Sequence, residues 1–343
     1  MAAGHRGAHG LQAQATEPRM NTDGQATSAR PIQTFEFNFT REKDMPNVKA
    51  AFASICFAGT LWLASAQAAD LPASRPEAQG MSWERLARIS AMLKADVAAN
   101  KIPGAVLLVA RHGKVVHCDA VGKVGPSTDA LMTRDAIFRI YSMSKPVTTV
   151  AAMMLDQFEK QRLLDPLGMA DTSFYVTDAA KHARVAEPLA DDRNFVLHAD
   201  FGNPRVAGKW ESGGGGMVST AMDHARFAQM LLAGGTLDGK RYLSPKTLAF
   251  MTSDHLGTAI ATTPLYLPGP GTGFGLGFAV RRAPGEAAYP AAVGSYFWGG
   301  AGGTYFWVDP KNDLFVVLMM QSPKLRVCYR TVLHDMVYAA FVE

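Results

Sequence analysis

The chain has 343 residues, 48% of them hydrophobic and 19% charged, with a net charge of +4. This composition fits one large globular domain or two ordinary ones with a substantial core, and it excludes fibrous and wholly disordered chains. There is no Lys/Arg-rich run, the nine His fall into no metal-ligand spacing, and HExxH and CxxC are absent, so neither nucleic acid nor a metal or other cofactor is indicated.

Residues 1–44 are polar, without a sustained period, and read as a disordered extension. Met45-Pro-Asn-Val-Lys49 then opens a different pattern: a short charged start, an apolar run over 50–64, and the small-residue exit Ser65-Ala66-Gln67-Ala68. That order reads as a secretory signal over 45–68, with Met45 as the biological start and a periplasmic or secreted mature protein free of stable membrane association. The competing reading is an uncleaved anchor, because 50–69 is just long enough to span a thin bilayer. Cys56 would leave with the signal. Cys118 and Cys328 are too few for a disulfide framework and read as two buried thiols, although pairing stays open.

From Ser82 the pattern turns helical: Trp83, Leu86, Ile89, Leu93 and Val97 recur at three- and four-residue steps behind a capping Ser82. Two β-rich runs, 105–110 and 114–121, meet at His112-Gly113 and predict a hairpin. A helix is expected over 142–160. A second begins at the capping box Ser219-Thr220-Ala-Met-Asp223, runs to 232 and stops at Gly234-Gly235. Strands are expected near 274–281, 294–300, 304–308 and 314–320, with a closing helix over 329–341. This order predicts an α/β (α+β) fold: a mostly antiparallel sheet flanked by N- and C-terminal helices, with the long middle excursion to one side.

Three strings carry candidate chemistry. In Phe138-Arg-Ile-Tyr-Ser142-Met-Ser-Lys145-Pro146, Ser142 and Lys145 share one face of a first helical turn. The helix dipole disfavours a cation there and burial adds to that, which pushes Lys145 towards the neutral form that a base for a serine hydroxyl needs. Ser-x-x-Lys alone is also compatible with a capping Ser beside a solvated Lys. In Tyr296-Phe-Trp298-Gly299-Gly300-Ala301-Gly-Gly-Thr304-Tyr-Phe-Trp-Val-Asp-Pro310, glycines stand where a strand would be weakened unless another backbone or a ligand comes close. Such an edge could offer backbone N–H groups to an oxyanion, or it could be a plain glycine-rich hairpin. In Ser212-Gly-Gly-Gly-Gly216-Met-Val-Ser-Thr220 a packing role is favoured over anion binding. Gly271-Thr-Gly-Phe-Gly275-Leu-Gly277 precedes β-like sequence rather than a helix and is not a dinucleotide loop.

Together, and with Pro166-Leu-Gly-Met-Ala-Asp-Thr-Ser-Phe174 and residues 213–230, these strings resemble the class C β-lactamases and, more tightly, the family VIII carboxylesterases, over residues 71–343. The resemblance implies a serine hydrolase forming an acyl-enzyme on Ser142, with Lys145 as base and the amides of Ser142 and Ala301 as oxyanion hole. Trp298 stands where β-lactamases often carry a Lys that binds the β-lactam carboxylate, and Trp298-Gly299-Gly300 is similar to the W-x-G form of the esterases. Small-molecule short-chain esters are therefore the expected substrates, with β-lactams secondary at most.

One departure stands out. The family's Tyr-x-Asn or Tyr-x-Ser string belongs between the Ser142 helix and Pro166, yet only Glu159-Lys-Gln-Arg-Leu-Leu-Asp165 joins them. The helical subdomain is expected to be truncated, activity to be reduced, and the apolar face Val147, Val150 and Met154 to lose its cover. The alternatives are an inactive exported scaffold of the same fold, or a β-lactamase or DD-peptidase.

Overall fold

In chain order the elements are α1 (Trp83–Ala98), β1 (Gly104–Arg111), β2 (Lys114–Gly122), β3 (Phe138–Arg139), α2 (Ser144–Met153), the helical turn α3 (Asp165–Leu167), β4 (Val218–Ser219), α4 (Ala221–Leu232), β5 (Thr236–Leu237), β6 (Lys240–Arg241), α5 (Pro245–Met251), β7 (Thr272–Phe274), β8 (Ala279–Arg281), β9 (Tyr296–Gly299), β10 (Tyr305–Asp309), β11 (Leu314–Met320) and α6 (Arg326–Tyr338). The structure, a computed structural model, describes residues 70–153, 160–192, 203–208, 210–257 and 268–342, all within the unit Leu63–Glu343. The extension and signal expected over 1–68 lie outside the described residues. No helix among the described residues is long and apolar enough to cross a membrane.

Seven strands form one antiparallel sheet in the order β2-β1-β11-β10-β9-β8-β7. The N-terminal hairpin thus joins the C-terminal strands through β1 and β11, which pair from Ala105↔Met320 to Arg111↔Leu314. The hairpin turns where expected, with positive φ at both His112 (51°) and Gly113 (70°), the backbone that two-residue turns of this hand require. Both faces of the sheet are covered. Val106, Leu108 and Ala110 of β1 join the core beneath α2 and α4, while Ala105, Leu107 and Val109 join that beneath α1 and α6. Double coverage is why β1 and β11 read as continuous apolar runs rather than alternating ones.

The helices start where their caps place them. Ser82 Oγ accepts from the Arg85 amide (3.3 Å) and Thr220 Oγ1 from the Asp223 amide (3.1 Å). Leu86, Ile89 and Leu93 are buried, but Trp83, one step earlier in the same stripe, is exposed. The strand expected near 274–281 divides into β7 and β8, because Gly275 packs against the Met251 carbonyl and Gly277 has φ 85°. The helix expected over 142–160 is α2 through Met153, preceded by a 3-10 turn, Tyr141–Met143; a π-helical turn, Lys160–Leu164, leads into α3.

Two expectations are corrected. Val147 and Val150 are fully buried within the large core cluster on this face of the sheet, so they do not lose their cover; Met154 lies outside the described residues. Cys328 is exposed and Cys118 half-buried, so they are not two buried thiols. Both are free: Cys118 packs on the α2 and α4 face, whereas α6, which carries Cys328, covers the opposite face of the sheet.

Candidate active site

Ser142 lies in the 3-10 turn that feeds α2, and both it and Lys145 are half-buried. Lys145 Nζ is 2.9 Å from Ser142 Oγ and donates also to the Gly214 carbonyl oxygen at 2.5 Å. Burial lowers the Lys145 pKa, and among the described residues no carboxylate opposes that shift. The two residues that the three-residue spacing placed on one helical face therefore do meet.

The turn before the nucleophile is held from several sides. Tyr141 has φ 46°, a backbone region that costs an aromatic residue about 1–3 kcal/mol. Ser144 Oγ donates to the Tyr141 carbonyl (2.7 Å) and accepts from the Met217 amide (3.1 Å), so the serine between nucleophile and lysine ties this turn to the glycine-rich loop. Upstream, β3 pairs with β4, matching Phe138 with Ser219 and Arg139 with Val218. Ile140 continues the pairing by donating its amide to the Met217 carbonyl at 3.0 Å.

The second glycine string packs against the same turn. Trp298 and Gly299 close β9, and residues 300–303 form a turn in which the Gly303 amide donates to the Gly300 carbonyl (3.1 Å) and the Gly300 amide to Thr304 (2.7 Å). A Cβ on Gly302 would overlap the Tyr141 ring, and one on Gly300 would overlap Thr304 Oγ1. Thr304 Oγ1 donates to the Ile140 carbonyl at 3.2 Å, joining this turn directly to the nucleophile segment. Ala301 is half-buried at its centre. Trp298 is half-buried with its ring edge-on to Phe274, 5.1 Å between centroids, and its indole Nε1 has no hydrogen-bond partner. A Cβ on Gly299 would overlap the Arg330 guanidinium, so this glycine admits α6 rather than a ligand.

The four-glycine loop packs tightly, as expected, and does more. Gly213 does pack, its carbonyl accepting from Thr148 Oγ1 (3.0 Å), but the Gly214 carbonyl reaches Lys145 Nζ. Spacing along the chain carried no sign of that contact. Of the tyrosines that adjoin motifs, Tyr175 directs its hydroxyl to the Trp210 carbonyl at 2.6 Å. Among the described residues, Lys145 donates hydrogen bonds to Ser142 Oγ and the Gly214 carbonyl.

The sequence profile of the β-lactamase family matches this chain in two pieces, residues 89–157 and 155–334. The chain belongs to the β-lactamase family. Within curated proteins it is similar to an uncharacterized protein of Mycobacterium tuberculosis, 35% identical over 189 residues, 53% of this chain and 47% of that one. It is also similar to the lovastatin esterase of Penicillium rubens, 28% identical over 194 residues, 51% of this chain and 47% of that one. The chain thus spans about half the length of the curated relatives it matches. Its fold is that of EstCE1, a hydrolase with promiscuous acyltransferase activity: TM-score 0.61 at 20% identity, over 76% of this chain and 98% of that one. Proteins named as esterases are thus among the relatives of this member of the β-lactamase family.

Proposed function

We propose that the protein hydrolyses short-chain carboxylic esters through an acyl-enzyme on Ser142, with Lys145 as the base. The observation that carries this reading is the 2.9 Å contact between Lys145 Nζ and Ser142 Oγ, with the lysine pKa lowered by burial. Neutral Lys145 takes the hydroxyl proton as Oγ bonds to the ester carbonyl carbon. The carbonyl oxygen becomes an oxyanion, held by the amides of Ser142 and Ala301. Collapse breaks the ester C–O bond, and the lysine ammonium gives its proton to the departing alkoxide. Water then repeats the sequence on the acyl-enzyme, with Lys145 taking its proton and Ser142 leaving. The Gly214 carbonyl holds the lysine in line throughout.

Trp298 supports esters over β-lactams, because it offers no cation to a substrate carboxylate. The family match breaks at 155–157, just ahead of the join at 159–165 where the tyrosine-bearing segment is expected. That break supports a truncated subdomain and a rate below that of a complete site, since proton-transfer groups act as a unit. Export through the signal at 45–68 belongs to the same reading. A fluorophosphonate probe tests the nucleophile. It should label the wild type and not Ser142→Ala; equal labelling, or none of the wild type, overturns the assignment.

A further inference from the structure

The turn proposed to hold the oxyanion is gripped from outside by a residue that no motif marks. Asp192 is 3% exposed, and its carboxylate accepts two hydrogen bonds from the segment that follows β11. Ser322 Oγ donates to Oδ2 at 2.8 Å and the Lys324 amide donates to Oδ1 at 3.1 Å. The Ser322 amide in turn donates to the Gly302 carbonyl oxygen at 2.7 Å. Next to it Gln321 Nε2 donates to the Arg139 carbonyl at 3.0 Å, three residues before the nucleophile. Among the described residues Asp192 makes no ion pair, and Lys324 Nζ goes to the neighbouring, exposed Asp191 at 2.8 Å.

Burying a carboxylate is costly unless strong donors meet it, and hydrogen bonds to an ionised acceptor are about twice as strong as neutral ones. Here both donors belong to one short segment, whose remaining amide fixes Gly302. Residues 300–303 carry no side chain larger than a methyl before Thr304, so their position depends on such backbone contacts. We propose that Asp192 is a positioning residue for the oxyanion turn, acting through Ser322 and the Gly302 carbonyl to aim the Ala301 amide. This rests on the reading of Ala301 as an oxyanion donor. It assigns Asp192, and not its neighbour Asp191, a positioning part in catalysis rather than in substrate binding.

Losing an oxyanion donor outright costs about 100- to 1000-fold in kcat, and misaiming one costs less, about 10- to 100-fold. The experiment measures kcat and KM for p-nitrophenyl acetate, and the affinity of phenylboronic acid, which forms a tetrahedral adduct on a serine, in wild type, Asp192→Asn, Ser322→Ala and Asp191→Asn. Asp192→Asn keeps the shape and one acceptor, which guards against loss of the fold. The expected result is kcat reduced about 10-fold or more in Asp192→Asn and Ser322→Ala, with KM within about twofold and boronate binding weakened in parallel. Asp191→Asn should match the wild type. Unchanged kcat and boronate affinity in Asp192→Asn, or a change in KM alone, overturns the proposal. A wild type that neither turns over ester nor binds boronate overturns the hydrolase reading, and this inference with it.

Discussion

Lys145 and Gly214, 69 residues apart, meet through a 2.5 Å hydrogen bond from the lysine Nζ to the glycine carbonyl oxygen. The acceptor is neutral, so it fixes the lysine without stabilising its charge as a carboxylate would. That distinction matters for a base. An acidic partner would raise the lysine pKa, whereas here burial is left to lower it.

The pH dependence follows from that direction. Ester hydrolysis should rise through alkaline pH as Lys145 loses its proton, with the midpoint of the rise below the ordinary lysine value of about 10.4. Lys145→Ala should abolish the rise while circular dichroism shows the fold intact. A profile flat from neutral pH upward, or full activity in Lys145→Ala, would mean that another group is the base.

Gly302 should tolerate no side chain. Its Cβ position overlaps the Tyr141 ring, so Gly302→Ala must displace either the oxyanion turn or the strained turn carrying Ser142. Turnover of p-nitrophenyl acetate should fall about 100-fold or more, the cost of losing an oxyanion donor. Gly214→Ala serves as the contrast, because its Cβ would make an ordinary 3.8 Å contact with Lys145 Nζ. Equal activities in the two variants would contradict this account of the turn.

Specificity should track Trp298. p-Nitrophenyl butyrate should be hydrolysed in preference to nitrocefin, and Trp298→Lys should move that ratio towards the β-lactam. The variant also loses the edge-on contact with Phe274, so the ratio is the informative quantity and not either rate alone. A wild type that prefers nitrocefin would refute the ester assignment.

Acid should destabilise the fold through two buried histidines. His224 on α4 has both ring nitrogens without partners, 4.6 Å from the Phe306 ring centroid, and burial pushes its pKa down to about 3. His334 on α6 is likewise held at about 3 by burial, its ring nitrogens on Tyr305 Oη and the Pro290 carbonyl. The unfolded chain takes up these protons near 6.5 and the folded one does not. Their contribution is therefore complete above about pH 6.5 and lost as pH falls towards 3. Urea midpoints measured at pH 7.5 and 5 should drop in the wild type and drop less in His224→Leu. Parallel drops would refute the role of His224.

Sequence periodicity and caps showed the hairpin, α1, α4 and the closing strands, because each is encoded within one short contiguous stretch. The pairing of Ser142 with Lys145 was legible for the same reason: one helical turn contains both. What stayed hidden was assembled across the chain. The Gly214 carbonyl carries no side-chain signal, Asp192 and Ser322 are 130 residues apart, and α5 is a single seven-residue helix with too few turns to show a stripe. The expected bare face of α2 failed because Val147 and Val150 lie inside the large core cluster, assembled from residues far apart in the chain. In the same way, a stripe argument could not show that Trp83, at the first position of α1, stays outside the core.

Export has its own check. N-terminal sequencing of periplasmic or extracellular protein should begin at Ala69, and recovery of residues 1–44 on exported material would contradict a signal at 45–68.

The central claim is a covalent intermediate on Ser142. Wild-type protein mixed with p-nitrophenyl acetate, quenched in acid within the first turnovers and digested for peptide mass mapping, tests it most directly. One acetyl group should appear on the peptide containing Ser142, and none on that peptide from Ser142→Ala. Acetyl groups confined to other residues while ester is being turned over, or turnover retained by Ser142→Ala, would contradict the account.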